Sequence, residues 1–128
     1  MNRRSSLAAV LATSLAVLLV AVCVVPAGAA KPKTKIKTNP KLEFAMGFSG
    51  RLKTGARCKA GRTVNLYSKQ QGPDSKQATR KTNKKGRFDF GTEVLPIDGG
   101  TFYVRATRPS GERYVCLRGR SNELAFAG

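Results

Sequence analysis

From Leu42 onward the apolar residues of this chain recur with period two, and that alternation limits the fold more than any other feature. Leu42, Phe44, Met46 and Phe48 alternate with Glu43, Ala45 and Gly47, and Leu52 continues the same edge beyond Gly50. Val64, Leu66 and Ser68 share a face, Phe88 and Phe90 flank Asp89, and Phe102, Val104 and Ala106 alternate with Tyr103, Arg105 and Thr107. Tyr114 with Cys116, and Leu124 with Phe126, complete the set. Turn-forming clusters separate these runs: Thr54-Gly55-Ala56, Gly72-Pro73-Asp74, Asn83-Lys84-Lys85-Gly86, Asp98-Gly99-Gly100 and Pro109-Ser110-Gly111. Past the N-terminal apolar segment no window of ten residues keeps a helical period without Gly or Pro. The expectation is all-β: one small antiparallel sandwich of six to eight short strands, spanning residues 42–128, with lysines and arginines on its outer faces.

Residues 1–30 belong to something else. Asn2-Arg3-Arg4 is a short positive start, the run 7–25 is apolar, and Pro26 breaks it. Ala27-Gly28-Ala29 then supplies small residues where a signal peptidase reads, so an N-terminal hydrophobic signal helix cleaved after Ala29 or Ala30 is expected. The 19-residue apolar run is also long enough for an uncleaved membrane anchor. Arg3-Arg4-Ser5-Ser6-Leu7 has some likeness to a twin-arginine signal, although so apolar a run suits the general secretory route better. Val22 before Cys23 is too bulky for lipid attachment.

Export simplifies the cysteines. Cys23 leaves with the signal, and Cys58 and Cys116 remain as an even pair for an oxidising compartment, so a disulfide is expected. Closing a loop of 58 residues stabilises by about 4 kcal/mol in the chain-entropy model. Two separate buried thiols are the plainer alternative. A metal site has less to stand on, because two thiols without a histidine cannot fill a tetrahedral shell.

Residues 31–41 read KPKTKIKTNPK, with Ile36 the one large apolar side chain. So polar a stretch is expected to remain a flexible basic linker. Its lysines, Lys31, Lys33, Lys35, Lys37 and Lys41, serve either as a polyanion-contacting arm or as a solvated spacer.

Four motifs carry a resemblance. Cys58-Lys59-Ala60-Gly61-Arg62-Thr63-Val64-Asn65-Leu66-Tyr67 resembles the cysteine-led turn and strand of small secreted Ig-like proteins of actinobacterial type, single-domain relatives of the prealbumin-like, or carboxypeptidase regulatory-like, sandwich. Thr82-Asn83-Lys84-Lys85-Gly86-Arg87-Phe88-Asp89-Phe90 is similar to that group's hairpin, in which a loop ending in Gly leads into a strand with two inward aromatics. Gly100-Thr101-Phe102-Tyr103-Val104-Arg105-Ala106 and Cys116-Leu117-Arg118-Gly119-Arg120-Ser121-Asn122 resemble a later strand and the return of the second cysteine. The resemblance runs from Phe48 to Phe126 and implies an Ig-like fold and an exported protein. Such sandwiches serve as accessory, adhesive and spacer modules. The transthyretin-like hydrolases share the architecture but depend on histidines and a C-terminal Tyr-Arg-Gly-Ser, whereas this chain has no histidine and ends Ala125-Phe126-Ala127-Gly128.

Nothing in the residue inventory points to catalysis, a cofactor or a metal. No histidine is present to act as general base, and no Ser-x-x-Lys occurs. Asp89 and Glu93 are the nearest pair among scattered carboxylates, with Asp89 expected to face solvent between two core aromatics. What stands out is charge. The chain has 24 Lys and Arg against seven Asp and Glu. Loss of Arg3 and Arg4 leaves 22 cations and a net +15, where solubility asks only for a magnitude of about 2–8. Lys76, Arg80, Lys81, Lys84, Lys85 and Arg87 fall within twelve residues and are expected to crowd one hairpin end. Arg51, Lys53, Arg57, Lys59 and Arg62 form a second group, and Arg105, Arg108, Arg113, Arg118 and Arg120 a third.

The reading that follows is a non-enzymatic, monomeric module held by electrostatics on anionic cell-wall or membrane-surface polymers, without a small-molecule substrate or a specific nucleic-acid target. The alternative is recognition of a neutral polysaccharide or partner protein through sandwich loops, for which Tyr67 and Tyr103, both expected outward, offer the rings.

Overall fold

A computed structural model describes residues 33–109, 111 and 113–128. Residues 1–30, including Ala27, Ala29 and Ala30 of the expected cleavage site, lie outside the described residues, as does Lys31.

The described chain is all-β: ten strands and one turn of 3₁₀ helix at Ala56–Cys58. They run β1 Thr34–Ile36, β2 Thr38–Phe44, β3 Phe48–Thr54, β4 Thr63–Ser68, β5 Ser75–Lys81, β6 Arg87–Gly91, β7 Gly100–Ala106, β8 Tyr114–Cys116, β9 Gly119–Arg120 and β10 Leu124–Phe126. A three-stranded sheet in the order β2-β3-β6 packs against a larger one in the order β10-β7-β4-β5, with β9 also on β7. Both are antiparallel. A separate two-stranded pair, β1 with β8, is parallel.

Alternation fills the space between the sheets. Leu42, Phe48, Leu52, Phe88 and Phe90 from one sheet meet Val64, Leu66, Ala78, Phe102, Val104 and Ala106 from the other, all buried in a single cluster. Asp89 stays exposed between its aromatic neighbours, and its Oδ1 accepts the Gly91 amide at 2.6 Å.

Two expectations are corrected, and one strand carries no signal in the sequence. Residues 31–41 are not a flexible linker throughout: they contribute β1 and the first half of β2. Low apolar content misled there, because Thr38, Pro40 and Leu42 turn inward while Lys37, Asn39 and Lys41 face solvent. Pro40 is tolerated because β2 is an edge strand of its sheet, where a missing amide donor need not interrupt a ladder. The run Leu42 to Phe48 is not one edge but a hairpin. Ala45-Met46-Gly47 turns it, leaving Met46 88% exposed, and a Cβ at Gly47 would lie 1.9 Å from the Gly91 carbonyl oxygen. Strand β5 carries no apolar alternation, since Ala78 is its one buried residue, and it forms by pairing with β4 across a bulge at Leu66/Tyr67.

The expected disulfide is formed. Cys58 and Cys116 are bonded, with Cα atoms 5.6 Å apart, and join the 3₁₀ turn to β8. A persistent bond of this kind belongs to an oxidising, extracellular-type environment.

Between β9 and β10 the edge strand breaks, and its side chains take over the work of peptides. The Ser121 Oγ accepts the Val104 amide at 2.8 Å. Asn122 reaches the opposite sheet, where its Oδ1 accepts the Leu42 amide at 2.9 Å and its Nδ2 donates to the Leu42 carbonyl at 3.1 Å. One amide side chain thus stitches β2 to the larger sheet.

Candidate functional site

Strand register gives each described residue a height along the sandwich. One end holds the β2–β3 turn, the loops 69–74 and 92–99, and the last residues. Phe44, Phe48, Phe102 and Phe126 pack there with ring centroids 4.9–6.0 Å apart. The other end holds β1, the 3₁₀ turn, the β5–β6 loop, β8 and the disulfide.

Charge is unevenly divided between these ends. Asp74, Glu93 and Asp98 sit in loops of the aromatic end. Glu43 and Asp89 flank Ser49, one row in from that end, and Glu123 immediately precedes Leu124, which pairs with Phe102. No described carboxylate lies at the disulfide end, which carries Lys35, Lys37, Lys53, Arg57, Lys59, Lys84, Lys85, Arg108, Arg113 and Arg118.

Buried Thr82 and exposed Asn83 shape this cationic end. The Thr82 hydroxyl donates to the Lys59 carbonyl at 2.5 Å and accepts the Arg62 amide at 2.9 Å, which ties the β5–β6 loop to the turn after the disulfide. Asn83 then shapes the loop tip: its Oδ1 accepts the amides of Lys85 and Arg87, at 2.9 and 3.0 Å. Gly86 takes φ +77°, and a Cβ there would press on Lys59 at 3.3 Å. Lys84 and Lys85 therefore project beside Lys59, and with Arg51, Lys53 and Arg87 they line an open cleft in which every charged residue is cationic.

Arg62 has a different fate from the rest of its sequence group. It is 1% exposed. Its Nε donates to Thr107 O at 3.1 Å, Nη1 to Thr38 Oγ1 at 2.9 Å and Cys58 O at 3.1 Å, and Nη2 to Leu117 O at 3.0 Å and again to Thr107 O. One guanidinium thus fastens four chain segments by their oxygens. Burial holds its pKa below the ordinary arginine value. It is a structural cation, not part of a binding surface.

The hairpin set is split by the fold. Lys84, Lys85 and Arg87 share the cationic cleft. Lys81 faces a neighbouring cleft with mixed charge, lined also by Glu43 and Asp89. Lys76 pairs with Tyr67 near the far end of β5, and Arg80 is held by Glu93 and lies over Phe90. Of the basic segment, Lys33, Lys35 and Lys37 are exposed around β1, while Lys41 pairs with Glu43 at 3.3 Å.

A second cationic surface lies on the outer face of the larger sheet. Tyr67 and Tyr103 stack with centroids 5.5 Å apart. Arg105 lies 5.4 Å from each ring, and Arg120 lies 3.9 Å from that of Tyr103. Tyr103 points outward as expected but is wholly covered, and its hydroxyl donates to Asp74. That bond, followed by the Gln70 amide, keeps the Asp74 carboxyl below the usual carboxylate range, while burial first and Asp74 second push the Tyr103 phenol up. Beside this layer Asn65, Tyr67, Arg105, Arg108, Arg118 and Arg120 line a cleft of about 550 Å³. The arginine-rich tail of the sequence signalled these residues, but not their convergence.

Among the described residues no three of Cys, Asp and Glu gather as metal ligands would. Comparison of the chain with protein-family models, with curated proteins and with solved structures gives no match.

Proposed function

We propose that this chain is a non-catalytic, exported module held by electrostatic contact on anionic polymers of the cell wall or membrane surface, and that the disulfide end makes the contact. The observation that carries the reading is the division of charge. Lys59, Lys84 and Lys85 gather with Arg51, Lys53 and Arg87 in one cleft without a lining carboxylate, and the acids lie toward the other end. Such a surface orients the molecule on a negative polymer and is held by many small contributions instead of one pocket. Its like-charged copies repel each other, which favours a monomer. The motif resemblance to secreted prealbumin-like sandwiches of actinobacterial type, used as accessory and spacer modules, agrees with this role.

The test is retention of the oxidised protein on isolated cell envelopes, beside a neutral polysaccharide, from low to half-molar salt. Release as the Debye length contracts from about 10 Å toward a few ångströms is expected. Lys59→Gln, Lys84→Gln and Lys85→Gln together should move release to lower salt. Retention that is indifferent to salt overturns the reading.

A second reading has its own observation. Met46 and Ile97 are 88% and 79% exposed on loops of the aromatic end, and a neutral partner protein would meet them there. Retention at high salt that falls with Met46→Ser and Ile97→Ser would favour it.

A further inference from the structure

The outer face of the larger sheet contains an arrangement that packing alone does not account for. Arg105 on β7 and Arg120 on β9 are direct cross-strand partners, both exposed. Like charges directly opposite in an antiparallel pair are destabilising. Arg118 and Arg108 line the same cleft, and no carboxylate lines it. The one carboxylate bonded to the group is Glu123, 2.7 Å from Arg120 and also bridged to Lys69 at 3.2 Å. Arg105, Arg108 and Arg118 have no carboxylate partner among the described residues.

These guanidinium groups also differ physically from the lysines of the disulfide end. Arg105 and Arg120 lie over tyrosine rings, so their planar forks are partly ordered before any ligand arrives. Ordering in advance reduces what binding must supply. A lysine ammonium is a mobile point charge, whereas an arginine fork matches two oxygens at once. One carboxylate satisfies one fork. A phosphate group, with more oxygens and up to two negative charges, satisfies several converging forks.

We propose that the cleft between β4, β7 and β9 is a phosphate-binding site, with Arg105, Arg118 and Arg120 as its ligand-contacting residues. It takes the phosphate groups of an anionic polymer while the lysine end supplies unselective attraction. This rests on the electrostatic reading above and gives it a point of chemical selectivity.

The experiment titrates the oxidised chain with orthophosphate, polyphosphate and acetate at constant ionic strength, following the arginine Nε–Hε signals. Saturable shifts at Arg105, Arg118 and Arg120 with both phosphates, and none with acetate, are expected. Tighter binding of polyphosphate identifies the polymer as the source; equal affinity per phosphate identifies the free ion. The double variant Arg105→Lys and Arg118→Lys keeps the net charge and should weaken phosphate binding about tenfold or more, from lost charge-assisted bonds, with the melting temperature unchanged. Lysine variants that bind phosphate as wild type does, or acetate shifts equal to those of phosphate, overturn the site. In that event wild-type retention on envelopes persists. If instead the electrostatic reading is the one at fault, that retention is indifferent to salt or missing, whatever phosphate does at the cleft.

Discussion

The two ends of this sandwich are held together by different physics. The aromatic end is closed by phenylalanine rings from both sheets, with Phe48 touching Phe44, Phe102 and Phe126. The disulfide end is closed by one covalent bond and by a buried arginine that spends its donors on the oxygens of Thr38, Cys58, Thr107 and Leu117. A surface that must stay cationic has little apolar area to bury, so cross-links take the place of a core there. The consequence is functional. Lysines carried on a stapled turn keep their positions without drawing on hydrophobic packing, and they keep them only while the staple is intact.

Loss of the disulfide should test this difference most severely. Cys58→Ser with Cys116→Ser is expected to cost about 4 kcal/mol. Amide exchange should rise first in residues 56–62 and 107–117, and amides around Phe48 and Phe102 should stay protected. Uniform loss of protection would show that the ends are a single cooperative unit. The complementary change, Phe48→Ala, should cost about 3–4 kcal/mol in chemical denaturation. That cost should be the same with and without reductant if the ends are independent.

Arg62→Met keeps length and apolar stem but strands the carbonyls of Cys58, Thr107 and Leu117. Loss of about 2–3 kcal/mol is expected in the same denaturation assay, from unsatisfied buried acceptors offset by relief of the desolvated charge. A neutral or stabilising outcome would mean that the disulfide alone holds this end. Asn122→Ala is expected to cost about 1–2 kcal/mol, since it leaves both Leu42 backbone groups without their cross-sheet partner.

The smallest effect concerns the tyrosine layer and its bond to Asp74, in a loop of the aromatic end. Asp74 is depressed by the Tyr103 hydroxyl, so its contribution is present above the unfolded carboxylate pKa and lost as pH falls through the lower folded value. Tyr103 is raised, so its contribution is present below the unfolded phenol pKa and lost as pH rises through the higher folded value. The stability difference between wild type and Tyr103→Phe should therefore be widest between about pH 4 and pH 10 and narrow on both sides. A difference that is flat with pH would remove the bond from the account.

Much of this was legible because alternation is a local property. Phe88 and Phe90, or Phe102, Val104 and Ala106, turn inward in any sheet that has one dry face. An even pair of thiols, together with the export expected from the N-terminal segment, was enough to expect the disulfide. Strand β5 was not legible, since SKQATRK has no inward set and becomes a strand only because β4 offers it an edge. Thr38 and Pro40 were hidden for the same reason: what makes them inward is the position of β3, not their own hydrophobicity.

Sequence by itself determined the all-β class, the inward face of most strands, the cysteine pair and the excess of positive charge, because each follows from period or composition. Tertiary structure alone decided where that charge goes. Arg62 and Lys59 are three residues apart, yet one is an interior clamp and the other lines a cleft. Arg105 and Arg120, fifteen positions apart, face each other across one strand pair. Long-range pairing sets those distances, and electrostatics depends on distance, so no local pattern could have reported them.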